Sequence, residues 1–122
     1  MDDTLRLYAI VRSDLEMPVG KLAAQAAHAF LESFLEADEK TAKEYRADGV
    51  GTKITLQARN LNDLLWAQYH CERRGVPCAL IVDEGHVMLP HFDGSPVVTA
   101  LGIGPIRRED NASLITNKFR KV

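Results

Sequence analysis

The order in which hydrophobic periodicities succeed one another constrains this chain more than any single motif does. Residues 5 to 12, Leu-Arg-Leu-Tyr-Ala-Ile-Val-Arg, are rich in strand formers and stop at the turn-like Ser13-Asp14, which predicts a mostly buried first strand. An alanine-rich amphipathic helix follows over about 19 to 36, and Lys40 to Asp48 is a charged helical stretch closed by Gly49 and Gly51. Thr52 to Ala58 alternates with period two, the pattern of a half-exposed strand. Asn60 then offers an N-cap with Asp63 three residues on, Leu61, Leu64, Leu65 and Tyr69 keep helical spacing, and Gly75 with Pro77 ends the element. Ala79 to Val82 and Val97 to Ile103 are short apolar runs with the composition of central strands, joined through a hairpin-like loop, His91 to Pro96, with an exposed aromatic. A last short helix is expected from Asp110 or Asn111 toward the basic tail Lys118 to Lys121. Strand, helix, helix, strand, helix, strand, strand, helix is the order of an α/β protein: a mixed four-stranded sheet with helices on both faces, residues 1–122 forming one domain.

Length and composition agree with that reading. A chain of 122 residues, 46% hydrophobic and 26% charged, is long enough to bury a core without covalent staples. Met1 to Thr4 is acidic and runs into an apolar stretch of about seven residues, too short for a signal peptide or a membrane span, so a cytoplasmic protein with no membrane partner is expected. Cys71 and Cys78 have no zinc-spaced companions and read as free, partly buried thiols. His86 and His91 likewise lack a metal-binding partner motif and read as surface residues, so no metal is expected. A net charge of -2 argues against indiscriminate nucleic-acid binding while leaving room for a local basic face. Arg73-Arg74, Arg107-Arg108 and Arg120-Lys121, with Arg12 and Lys21, are the cations that would form one.

The chemistry concentrates on the first helix. At 100° per residue Lys21, Gln25, His28 and Glu32 project at about 0°, 40°, 340° and 20°, one polar stripe opposite Ala23, Ala26, Phe30 and Phe34. Such a stripe is usually a solvated face, but here a lysine stands in the first turn, where the helix dipole disfavours a cation. A lysine beside a helix amino terminus suits a phosphate or an anionic transition state. Asp83 closes an apolar strand and opens the loop Glu84-Gly85-His86, a place where ligands gather in α/β sheets, although an aspartate there also serves simply to start a turn. Gly49-Val50-Gly51 and Gly102-Ile103-Gly104 lack the strand-then-helix context of a dinucleotide site. No serine-hydrolase elbow, Walker loop or HExxH is present.

Val11-Arg12-Ser13-Asp14-Leu15-Glu16-Met17, followed by Gly20-Lys21-Leu22-Ala23-Ala24-Gln25-Ala26-Ala27-His28-Ala29, resembles the strand-to-helix signature of the type II peptidyl-tRNA hydrolases. Asp83-Glu84-Gly85 resembles that family's acidic loop, and Thr99-Ala100-Leu101-Gly102-Ile103-Gly104-Pro105 its last core strand. The resemblance implies hydrolysis of the ester between a peptide and tRNA by a protein that is commonly a homodimer and needs no metal or organic cofactor. It implies catalytic positions at Lys21, Asp83 and Thr99. Gln25 and His28 lie on the matching helix face toward substrate, and Arg12, Arg107 and Arg108 are the cations expected to grip tRNA. Asp83 would orient or activate water, Lys21 stabilise an oxyanion or phosphate, and Thr99 hydrogen-bond within the site. The chain departs from the family in the acidic loop: His86, Val87 and Met88 stand where arginine, threonine and glutamine are usual, and the segment from Asp83 to Thr99 is several residues longer. Valine keeps threonine's shape and loses its hydroxyl. A homologue that binds tRNA or a protein partner without hydrolysis is therefore the alternative, and a hydrolase of another small ester or amide the third.

Overall fold

β1 (Leu5–Arg12) sets the layers, because its successive side chains face opposite sides of the sheet and both sides are covered. Leu7, Ala9 and Val11 join the clusters beneath α1 (Val19–Glu36) and α2 (Glu39–Ala47), while Tyr8 and Ile10 join the cluster beneath α3 (Leu61–Arg73). A strand buried on both faces reads as an unbroken apolar run, which is what Leu7 to Val11 is. The computed structural model describes residues 4–47, 49–108 and 113–122.

The other strands are β2 (Thr52–Ala58), β3 (Cys78–Asp83), β4 (Val87–Met88), β5 (Phe92–Asp93), β6 (Val97–Arg107) and β7 (Arg120–Lys121), with α4 (Ser113–Thr116) before the last. The main sheet has five strands in the order β3-β6-β1-β2-β7. β1 and β2 are parallel, and β6 runs antiparallel between β1 and β3, so the sheet is mixed and β1, β2 and β3 all end on the same side. The α/β class and the mixed sheet hold, but the strand count is five rather than four. Arg120 and Lys121 pair with Gln57 and Leu56 as an edge strand, and Gln57 Nε2 donates to the Lys121 carbonyl at 3.1 Å. Two residues carry no detectable period, which is why this strand reads as a tail. β4 and β5 form a separate two-stranded ribbon. The expected last helix begins, in what is described, at Ser113; its proposed start at Asp110 or Asn111 lies outside the described residues, as do Met1 to Asp3 and Asp48.

α1 lies unusually close to β6. A Cβ on Gly102 would overlap the Ala29 carbonyl, so only glycine lets the helix backbone approach the strand this closely. Ser33 Oγ closes the contact by donating to the Gly104 carbonyl at 2.7 Å. On the opposite side, Asn60 Oδ1 accepts from the Asp63 amide at 2.8 Å as its spacing predicts, and Leu64, Ala67 and Cys71 face the core. Leu65 and Tyr69 are exposed, one position off the expected stripe. Cys71 and Cys78 are free thiols joined by a hydrogen bond, and that bond, with burial, pushes the Cys71 thiol far up.

Candidate active site

Only the second half of the polar stripe of α1 faces solvent. Its first half is turned onto the sheet: Gln25 is buried together with Ala26, Ala29 and Ser33, and the Lys21 side chain is only 11% exposed, whereas Ala23, expected on the inner side, is exposed. Only His28 and Glu32 reach the surface. The packing centre of the helix is therefore rotated from the face that apolarity alone suggests, because Gly102 draws the Ala29 side of the helix against β6.

What this rotation brings together is charge. Lys21 Nζ donates to Asp83 Oδ2 at 2.9 Å, joining the first turn of α1 to the end of β3. Neither α1's first turn nor its cap carries an acid, Pro18 being the cap residue, so the anion that a helix amino terminus favours arrives from another element. Lys21 Nζ also lies 2.5 Å from His86 Nδ1, and His86 Nδ1 is 3.9 Å from Asp83 Oδ2. Phe92 floors the cluster, its ring centroid 4.3 Å from Lys21 Nζ and 5.8 Å from the His86 ring. The ribbon of β4 and β5 carries these groups in: Gly94 donates to the His86 carbonyl at 3.0 Å and Gly85 to the Gly94 carbonyl at 3.0 Å.

Thr99 sits where β6 breaks step with β3. Ala100 pairs with Ile81 and Val98 with Val82, so Thr99 is the extra residue of a bulge, a device that re-aims a side chain. It is fully buried, and its Oγ1 donates to Gln25 Oε1 at 2.5 Å. Gln25 stands one helical turn beyond Lys21 and lines the open groove beside Asp83. Thr99 therefore fixes Gln25 and has no surface of its own to offer a ligand.

The expected arginines fall in two places. Arg12 lies at the site end of the sheet, its guanidinium bound to both Asp14 carboxylate oxygens and to the Val98 carbonyl at 3.0 Å, so it braces β1 against the start of β6. Arg107 and Arg108 lie at the far end: eight residues beyond Thr99 along β6 is roughly 25 Å. Arg107 is paired there with Glu44. Arg73 and Arg74, at the return end of α3, lie at that far end too, whereas the Arg108 side chain lines a groove together with Lys121, so not all of the basic pairs share one face. Arg120 is at the site end with Arg59 and Lys118, around a groove that also includes Ser13 and Gln57.

Two residues of the cluster escape sequence reasoning. His86 reads as a surface histidine because only its local sequence was informative, yet it follows Asp83 by three residues at a tight turn through Gly85. Phe92 reads as an exposed loop aromatic and is instead among the most buried side chains. Among the described residues no group of three or more His, Cys, Asp or Glu is arranged to hold a metal ion, and no helix is long and apolar enough to cross a membrane.

A family model described as "Peptidyl-tRNA hydrolase PTH2" matches residues 5–122, every element from β1 to β7. The chain belongs to the PTH2 family. Among its relatives, a protein named peptidyl-tRNA hydrolase from Methanopyrus kandleri is 41% identical over 103 residues, covering 83% of this chain and 84% of the relative. One of the same name from Methanothermobacter thermautotrophicus is 36% identical over 96 residues, 79% of this chain and 81% of the relative. A third, from Haloquadratum walsbyi, is 36% identical over 110 residues, 90% of this chain and 93% of the relative. Family membership bears out the resemblance drawn from Val11 to Ala29, Asp83 to Gly85 and Thr99 to Pro105.

Proposed function

We infer that this PTH2 member is an enzyme that cleaves the ester joining a peptide to tRNA, with Lys21, Asp83 and His86 at the reacting centre. The observation that carries the reading is a nearly buried ammonium held between a carboxylate and an imidazole at the mouth of an open groove. Lys21 has three N–H donors. Asp83 and His86 occupy two, and the third meets the oxyanion that forms at the acyl carbon. Asp83 Oδ1 orients the attacking water, whose proton passes through the Asp83–His86 pair to the departing ribose oxygen as the ester C–O bond breaks. The products are a tRNA hydroxyl and a free peptide acid, which gives the water's second proton to solvent and leaves as the carboxylate. Gln25, held by Thr99, and His28 line the groove beside this centre. Arg12 braces the site, and Arg59, Lys118 and Arg120 provide the phosphate contacts that Arg107, paired with Glu44 at the far end, is too distant to share with it.

Release of the acyl group from N-acetyl-aminoacyl-tRNA tests this directly. Lys21→Ala and Asp83→Asn should each lower kcat by about a hundredfold to a thousandfold, the scale of losing one preorganised oxyanion or water contact. Wild-type release no faster than the uncatalysed rate overturns the reading. Tight tRNA binding without release selects the non-hydrolysing alternative, which the exposed Val87 on β4 favours. The working form is a homodimer in the cytoplasm, where translation supplies tRNA. Its support is the apolar outer side of α1, where Leu31 and Leu35 are exposed beside a groove of about 320 Å³ lined by Leu7, Ala27, Phe30 and Phe34.

A further inference from the structure

A groove of about 640 Å³ runs from Asp83 along β3, walled on its other side by Gln25, His28, Glu32 and Glu36 of α1. All six residues of β3, Cys78 to Asp83, line it. Side chains of successive strand residues alternate between faces, so what six in a row share is the strand's edge, its backbone. Among the described residues β3 is the terminal strand of the sheet and pairs only with β6. Its outer N–H and C=O groups therefore face the groove, and Val82 is 51% exposed beside them.

The groove is continuous with the Lys21–Asp83 centre, and its charge has a direction. Asp83 stands at one end, and Glu32 and Glu36 follow His28 toward the Cys78 end. Six strand residues span about 17 Å, enough for an extended peptide of four or five residues. We propose that the groove seats the peptidyl part of the substrate, which adds to β3 as a parallel strand with its acyl carbon at Lys21 and Asp83 and its amino terminus among Glu32 and Glu36. The proposal rests on the hydrolase reading above. It commits to the peptide because the groove opens at the reacting centre, because the orientation that places the ester there sends the free ammonium to the two glutamates, and because an edge strand recognises backbone whatever the sequence. The wall facing the edge is made of Gln25, His28, Glu32 and Glu36, so side-chain selectivity should be weak.

The test compares kcat/KM on tRNAs carrying an N-acetyl-aminoacyl group and peptides of two, four and eight residues, each with a free or an acetylated amino terminus. For wild type we expect kcat/KM to rise about tenfold up to four residues and then level off, the net worth of a few added hydrogen bonds. N-methylation of a backbone amide within the tetrapeptide should lower it about fivefold. The free-amine tetrapeptide should be preferred over its acetylated form by about threefold, and Glu32→Gln with Glu36→Gln should bring that ratio to one. Rates that ignore length and N-methylation while N-acetyl-aminoacyl-tRNA is still cleaved overturn the groove proposal alone. Failure of wild type to cleave any of these substrates overturns the hydrolase reading and the proposal with it. Two copies pairing through β3 would show instead as amide protection of β3 that grows with protein concentration in the absence of substrate, and that result also overturns the proposal.

Discussion

Lys21 stands in the first turn of α1, where a cation opposes the helix's own field, and Asp83 answers it from the end of β3 at 2.9 Å. Each residue makes the other tolerable in a nearly buried place, since removing one partner leaves an uncompensated charge. The oddity in the sequence was readable for that reason: an unfavourable placement needs a partner, and the partner had to be an anion. His86 left no such mark, because a half-exposed histidine (43%) in a loop breaks no local rule. Thr99 was readable as a family position that hydrogen-bonds within the site, but its partner was not, because that depends on a bulge and on the burial of Gln25. Thr99→Val removes the hydroxyl donated to Gln25 Oε1 while keeping the side chain's shape, and should lower kcat about tenfold with KM little changed. Thr99→Ser should restore kcat. A merely structural Thr99 would instead lower the unfolding free energy by about 1–3 kcal/mol and leave kcat alone at temperatures where the variant is folded.

Elements were legible where period and punctuation coincide. β1 has the bounds its strand-forming run predicts, β2 those of its alternation, and α3 starts at the Asn60 cap, because each signal is local to the residues that create it. The inner face of α1 was misread because alanines pack as well as large apolar residues when a glycine faces them. Gly102→Ala should therefore be severe, with overlap against the Ala29 backbone lowering stability by about 3 kcal/mol or more in urea unfolding. A loss below 1 kcal/mol would mean that α1 can move away. At α2, Asp38 Oδ1 accepts from the Thr41 amide at 2.7 Å, and this bond holds the Asp38 carboxyl below its ordinary 3.8. A carboxyl lowered by folding contributes stability above its unfolded value and loses it as pH falls through the lowered folded value. The first-turn amides of α2 should accordingly lose protection, relative to their intrinsic exchange rates, on acidification below about pH 3.8, and Asp38→Asn should flatten that dependence.

At the scale of the molecule, periodicity names the elements but not the side of the sheet on which each one ends. β6 inserts antiparallel between β3 and β1, and this sends Thr99 to the end shared by Arg12 and Asp83 and Arg107 to the other. Three basic pairs that look equivalent along the chain are placed differently: Arg120 lies near the site, Arg73-Arg74 and Arg107 lie at the far end, and Arg108 and Lys121 share a groove between them. Arg59, which stands alone in the sequence, joins the near group because β2 ends beside β1. If tRNA lies across this end, counterion release assigns each cation a measurable share of the binding. Log Kd against log salt, from filter binding of tRNA at several KCl concentrations, should lose about 0.7 to 0.9 of its slope in Arg59→Gln and again in Arg120→Gln. Arg107→Gln should leave the slope as it is. An equal loss from Arg107 would place the tRNA backbone along the whole length of β6, and the division of the molecule into a binding end and a structural end would fail.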